Sequence, residues 1–247
     1  MARTRTFMSN SRASVQNKLG FARVESKSKI LRHEYQLRFS HIKEYHNVVW
    51  KILCSEYFSR YIPDNARVLD LGAGWGEFIN NIKAAEKYAM DLNLETKERL
   101  SAGVIFLNQD SSCPWQIESG SLDIVFSSNF LEHLPSKDHL ESTILEANRR
   151  LRKGGLIICL GPNIKYLPGA YWDFWDHCIP LSDLSVSELL RMNGFHIDLC
   201  IPRFLPYSMS LGRTPSLFLV KLYLRFPWLW PLMGKQFLII GSKETNV

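Results

Sequence analysis

The chain has 247 residues, 46% hydrophobic and 22% charged, a mixture that fits one globular domain with a sizeable core. It excludes a mostly disordered chain, a coiled coil and a collagen-like repeat. Of the net charge of +6, most lies in residues 1–32, where eight basic side chains face Glu25 alone, so the remainder is close to neutral.

Residues 1–30 are rich in Ser, Arg, Lys and Asn and read as a basic, disordered arm preceding a domain at 31–247. The opening Met-Ala-Arg-Thr-Arg lacks the apolar stretch of a secretory signal, and no apolar run approaches the ~20 residues of a membrane span. Five cysteines, at 54, 113, 159, 178 and 200, form no C-x-x-C pair. Neither disulfides nor a Cys-rich zinc site is expected, and the expected setting is cytoplasmic.

From 31 to 58, Tyr35, Phe39, Ile42, Val48, Ile52 and Tyr57 recur at three- and four-residue steps, predicting one or two helices that end before Pro63. Alternation follows: a strand over 67–71, a helix over 75–85, and strands over 87–91, 104–108 and 122–127. A helix over 137–151 is closed by Lys153-Gly154-Gly155, since basic residues and glycine suit a helix C-terminus. The apolar run 156–160 reads as a strand buried on both faces. A helix over 185–193 and strands over 195–201 and 236–241 complete the pattern. Strands separated by helices indicate βαβ units and an open α/β sheet.

The most informative stretch is Asp70-Leu-Gly-Ala-Gly-Trp-Gly76, where an apolar strand runs into a glycine turn and then a helix. Glycines there let a ligand approach the backbone closely. A dinucleotide would place an anionic pyrophosphate at the helix N-terminus. Here Asp70 precedes the first glycine and Glu77 stands where the third glycine of that fingerprint would fall. A carboxylate at Asp70 repels phosphate and suits an ammonium group. Asp91 closes the next strand nineteen residues after Gly72, about where an acid reaches ribose hydroxyls. Asp110, after the third strand, can accept from an adenine amine. An ammonium, a ribose and an adenine together describe S-adenosylmethionine.

On these residues, 67–163 resembles the class I SAM-dependent methyltransferases of small-molecule type. Asp70 to Gly76 resembles the family's first motif, Ala89-Met-Asp-Leu-Asn93 the second and Asn108-Gln-Asp-Ser111 the third. Ser127-Ser-Asn-Phe-Leu-Glu-His-Leu-Pro135 is similar to the segment after the fourth strand, and Leu151-Arg-Lys-Gly-Gly-Leu156 to the turn before the fifth. The resemblance implies a Rossmann-like, seven-stranded, mostly parallel sheet flanked by helices, with the last strand antiparallel. It implies SAM contacts by Asp70, Gly72, Ala73, Gly74, Gly76, Asp91, Leu92, Asp110, Ser111 and Asn129. Gly161-Pro-Asn-Ile-Lys-Tyr166, Tyr171-Trp-Asp-Phe-Trp-Asp-His177 and Gly234-Lys-Gln-Phe237 resemble a bacterial subgroup associated with polysaccharide and secondary-metabolite genes.

What the methyl group is passed to depends on a base. A hydroxyl needs general-base help or a metal, whereas an amine needs only to lose its proton. His133 and His177, with Asp176, are the expected catalytic residues, because histidine accepts a proton near neutral pH. The loop over 164–184 is the expected acceptor lid, with an aromatic and acidic wall (Asp173, Asp176) suited to a sugar ring. Glu132, His133, Asp173, Asp176 and His177 could also ligate a divalent ion, but no recognised ligand spacing supports a metal, and none is expected. Ser127-Ser-Asn-Phe130 lacks the Asn/Asp-Pro-Pro-Tyr that enzymes methylating nucleic-acid amines carry, and Cys113-Pro114 reverses the Pro-Cys order of cytosine C5 enzymes. DNA is therefore not an expected partner.

The aromatic insertion over 201–235 begins its helix with Thr214 as N-cap and Pro215 at the first position, and stops it at Pro227. Between Cys200 and Lys243 there are cations and aromatics but no acid. The preferred expectation is a cap packed on the sheet over the acceptor pocket, or a dimer contact, with peripheral membrane contact through 211–233 as the alternative. Overall the sequence predicts O-methylation of a small-molecule or saccharide acceptor. The alternatives are a SAM-binding regulatory or scaffold protein without turnover and an RNA methyltransferase using the basic arm, against which the near-neutral body counts.

Overall fold

The computed structural model describes residues 43–207 and 214–244; the basic arm, the expected helix at 31–42 and the first part of the membrane-contact segment lie outside the described residues. Seven apolar runs become strands: β1 (Arg67–Leu71), β2 (Glu86–Met90), β3 (Val104–Leu107), β4 (Leu122–Ser128), β5 (Leu151–Pro162), β6 (Phe195–Leu205) and β7 (Gln236–Lys243). They form one sheet in the order β3-β2-β1-β4-β5-β7-β6. β1 is parallel to β2 and β4, β3 to β2 and β5 to β4, while β7 runs antiparallel to both neighbours. This is the expected seven-stranded, mostly parallel, Rossmann-like arrangement with its last strand reversed.

Period-two alternation sends successive side chains to opposite faces. Val68, Ile124, Phe126, Ile158, Leu238 and Ile240 meet α1 (Lys43–Glu56), α2 (Glu77–Asn81), α5 (Leu217–Arg225) and α6 (Trp230–Met233). Leu69, Leu71, Val125, Ile157, Cys159 and Ile239 meet α3 (Lys137–Arg150) and α4 (Asp183–Met192). On the first face, the Phe78 and Phe126 rings stack 3.6 Å apart, with Trp50 of α1 edge-on to Phe126 at 6.0 Å. These rings fasten α1 and α2 to β4.

Three elements depart from expectation. α2 is shorter than the predicted 75–85, because Gly76 caps it in a left-handed conformation and Ile82 is already extended. α3 ends at Arg150, and the glycines expected to close it instead shape β5. Gly154 has φ +70, and a Cβ on Gly155 would stand 3.0 Å from the Arg152 carbonyl oxygen and 3.1 Å from that of Asp123. The irregular pairing between β4 and β5 falls there, between Leu122 and Ile124. Finally, Ser216 rather than Thr214 caps α5, and the Pro215 carbonyl accepts from Tyr45 Oη at 2.6 Å. Pro227 ends that helix as expected.

The insertion packs on the sheet with one face. Tyr223, Leu224 and Trp230 are buried in the core; Tyr223 Oη donates to the Phe204 carbonyl at 2.7 Å, and Trp230 Nε1 to the Tyr223 carbonyl at 2.9 Å. No helix among the described residues is long and apolar enough to cross a membrane.

Candidate active site

The sheet order reverses beside β1, with β2 on one side and β4 on the other, and a cleft outside the carboxyl ends of the strands is where open α/β sheets bind ligands. The glycine turn sits at that point. The Gly72 and Ala73 N–H groups both donate to the Met90 carbonyl at 3.0 Å, folding the turn back over β2. Gly72 has φ +73, and a Cβ on it would lie 2.3 Å from the Phe130 ring. A Cβ on Gly74 would project into open space, with nothing within 4 Å. One glycine is thus forced by packing and the other leaves the turn's open side clear.

Three carboxylates converge on this turn. Asp70 is buried, and its carboxyl accepts from the Ile79 N–H of α2. Burial pushes that carboxyl well above its usual range, the Ile79 bond pulls it back, and the charges of Asp91 and Glu77 raise it further. Asp70 therefore acts from inside the turn and presents no exposed carboxylate to a ligand. Asp91 Oδ2 accepts from Gly74 N–H at 2.8 Å and its Oδ1 from Asn93 N–H at 2.7 Å, tying the end of β2 to the turn. The charges of Asp91 and Glu77 favour a cation on the open side. Thr96, which the sequence reading missed, is fully buried and donates to the Gly74 carbonyl at 2.7 Å.

Next along the edge, Leu92 is exposed beside Asp91, and Asn108 Nδ2 donates to the Asp91 carbonyl at 2.9 Å. Asp110 Oδ1 accepts from both the Ser112 N–H (2.8 Å) and the Ser112 hydroxyl (2.7 Å), so its carboxylate builds a turn. Ser111, expected to meet adenine, instead turns its hydroxyl inward to Thr143 Oγ1 at 3.0 Å. Its side chain is spent on packing against α3, and only its backbone remains for a ligand.

At the end of β4, Asn129 has φ +48, the one left-handed non-glycine among the described residues. Its N–H donates to the Leu160 carbonyl at 2.9 Å, and its Nδ2 to Ser128 Oγ at 3.1 Å. Such strain persists only where surroundings over-determine it, and it clusters at functional sites. Beyond it the chain brings His133, Asp176 and His177 together: a ring nitrogen of each histidine and a carboxylate oxygen of Asp176 all lie within 4.8 Å of one another. His133 Nδ1 bonds the Asp176 carbonyl at 2.8 Å and lies 3.6 Å from its carboxylate. His177 Nδ1 bonds the Tyr171 carbonyl, and its ring stacks on Tyr171 at 4.0 Å.

A carbonyl oxygen only accepts, so Nδ1 of each ring carries the hydrogen and Nε2 of each neutral ring keeps its lone pair. That pattern suits a base, and it also suits a metal ligand whose other nitrogen is held by the protein. Burial, and then the neighbouring His133, lower the His177 pKa below its ordinary 6.5. The ring is therefore neutral at pH 7.

The lid is held by a residue weighed from sequence only as a metal ligand. Glu132 is buried; its Oε1 accepts from Tyr171 Oη at 2.6 Å, and its carbonyl accepts from the N–H groups of Cys178 and Ile179. Burial and the Glu132 charge raise the Tyr171 pKa, so the phenol stays protonated and donating. Asp173 does not join the cluster, and Trp175, expected in an aromatic wall, is 85% exposed. Ser127 Oγ near the end of β4 and Gln236 Oε1 at the start of β7 are buried with no hydrogen-bond partner among the described residues. Gln236 pairs with Pro162 at the carboxyl end of β5, which puts it at the same edge as the histidines.

Residues 49–198 match a family model described as a methyltransferase domain. A search of the curated proteins finds no match. Solved structures share the fold at low identity. A SAM-dependent methyltransferase from Archaeoglobus fulgidus aligns with a TM-score of 0.62 at 19% identity, covering 83% of this chain and 99% of that one. The Haloferax volcanii methyltransferase solved with its Trm112 activator gives 0.61 at 17% identity, covering 84% and 94%. The YcgJ protein of Bacillus subtilis gives 0.57 at 16% identity, covering 78% and 98%.

Proposed function

This chain belongs to the SAM-dependent methyltransferase family, and on that premise we propose that it methylates a hydroxyl of a small-molecule or saccharide acceptor. The turn fits the donor: it leaves open space above Gly74 and offers a negative field for a cation. Gly72, Ala73, Gly74 and Gly76 would line the methionine part, with Asp91 supplying the charge and Asp70 holding the turn in shape from within. The Asp91 carboxylate would bond the ribose with Leu92 beside it, Asp110 and the Ser111 backbone would meet adenine, and Asn129 would flank the sulfonium. When bound, SAM supplies a methyl group already activated by its sulfonium.

The chain's own task is to hold the acceptor in line, exclude water and take a proton. The observation that carries the hydroxyl reading is the pair of imidazoles pinned through Nδ1 to backbone carbonyls beside Asp176. As the acceptor oxygen gains its methyl, its proton passes to Nε2 of His133 or His177. Asp176 stabilises the imidazolium of His133 from 3.6 Å. Such a base contributes about 10²–10⁴-fold. The half-buried Trp172 ring, edge-on to the buried Tyr171 in the lid, would give a sugar ring an apolar face.

The test is methyl-labelled SAM offered to a panel of saccharides and lipid-linked glycans, with mass spectrometry locating the label. An O-methyl product, with turnover lost in His133→Asn or His177→Asn while SAM still binds, is the expected result. An N-methyl product contradicts the hydroxyl reading, and SAM binding without turnover on any acceptor favours a regulatory protein. Methylation of RNA that vanishes on removing residues 1–30 would favour the basic-arm alternative.

A further inference from the structure

We propose that the connection between β6 and β7 docks this protein on the surface of an anionic lipid bilayer. The observation is a helix with two unlike faces. On α5, Tyr223 and Leu224 are buried against the sheet, while Phe218, Lys221 and Arg225, spaced at i, i+3 and i+7, form a stripe on the opposite side. Phe218 is 70% exposed, and past Pro227 the chain exposes Trp228 (65%) and Leu232 (68%). Large apolar side chains left exposed along one connection mark an interaction surface.

Charge selects the occupant. From Cys200 to Lys243 the sequence holds no acid, and Lys221 and Arg225 stand exposed on α5. Lys51 of α1 lines the same groove as Phe218 and Lys221. A second copy in a two-fold contact would set this cationic patch against itself. The N-terminal arm, with eight basic residues against one acid in 1–32, carries the same sign. Anionic headgroups complement the lysines and arginine, and the interfacial layer beneath them takes Trp and Phe. No described helix can span a bilayer, so the contact lies on its surface.

Topology gives the contact its use. β6 ends and β7 begins at the carboxyl edge of the sheet, because β7 runs antiparallel to both β5 and β6. The connection therefore leaves and returns at the edge that carries the glycine turn and the histidine cluster. The Tyr207 ring, at its start, lies 5.1 Å from that of Tyr171 in the lid. Docking turns this edge toward the membrane, where a lipid-linked acceptor would be presented; that consequence rests on the methyl-transfer reading, whereas the docking itself does not.

The test is sedimentation of the full chain with phosphatidylcholine vesicles and with vesicles that also contain phosphatidylglycerol. Binding to the second alone, weakened about tenfold or more both by Phe218→Ser with Trp228→Ser and by Lys221→Glu with Arg225→Glu, is the expected result. All four side chains are exposed, and unchanged circular dichroism and SAM affinity would show that the variants remain folded. Failure to bind anionic vesicles, or binding that survives both pairs of substitutions and is lost only on deleting residues 1–32, overturns the proposal. So does a dimer in solution that the Phe218 and Trp228 substitutions dissociate. Because vesicle binding requires neither SAM nor an acceptor, its failure leaves the methyl-transfer reading standing, and the reverse also holds.

Discussion

At Gly72 two constraints meet on one atom. A β-carbon there would have to displace the Phe130 ring from 2.3 Å and accept a φ of +73. Gly72→Ala is expected to cost about 1–3 kcal/mol from backbone strain alone, seen as a lower midpoint in thermal unfolding together with weaker SAM binding. A variant as stable as the parent would show that the turn leaves its left-handed conformation at no cost and that Phe130 yields freely. His177 carries a second prediction. Its pKa is depressed in the folded protein, so as pH falls through 6.5 the unfolded chain takes up a proton that the folded chain resists. Stability should fall with pH from 6.5 toward the folded pKa, and His177→Asn should lose that slope in denaturant titrations at several pH values. The acidic limb of kcat/KM should likewise lie below the range of a free imidazole; a limb above 6.5 would contradict it. The place of Asp91 beside the glycine turn was legible at this scale because it depends on neighbours in one βαβ unit. The inward turn of Ser111 was not, since its partner Thr143 lies 32 residues away.

Among the elements, the strands were readable from their apolar runs, and the ends of the helices were not. α2 stops at Asn81 because the Ala85 and Glu86 N–H groups both reach back to the Ala66 carbonyl and pull the chain toward β2. β5 begins five residues before its apolar run because Leu151 pairs with Leu122 across the sheet. Each depends on a contact between strands that local periodicity does not contain. The lid shows the same limit: its aromatic motif was visible, but its fastening to Glu132 spans 39 residues. Tyr171→Phe keeps the ring and removes the hydroxyl, leaving the buried Glu132 short of a donor. It should cost about 1–3 kcal/mol in denaturant unfolding and expose the lid to proteolysis. Unchanged stability and protease resistance would mean that the two backbone bonds to the Glu132 carbonyl hold the lid unaided.

For the molecule as a whole, the sheet order puts the glycine turn and the histidine cluster on one edge, and the near-neutral body argues against steering toward nucleic acid. His133, Asp176 and His177 are also close enough to share a divalent ion. As bases they should give turnover that survives dialysis against a chelator; loss restored by added zinc or manganese would reassign them as ligands. Everything else depends on the turn between β1 and α2 taking a cationic nucleoside. Calorimetric titration of the ligand-stripped protein with SAM measures this most directly. Saturable binding, weakened about 10- to 100-fold in Asp91→Ala, is the predicted result, and no heat of binding, or equal affinity in the two proteins, would contradict it.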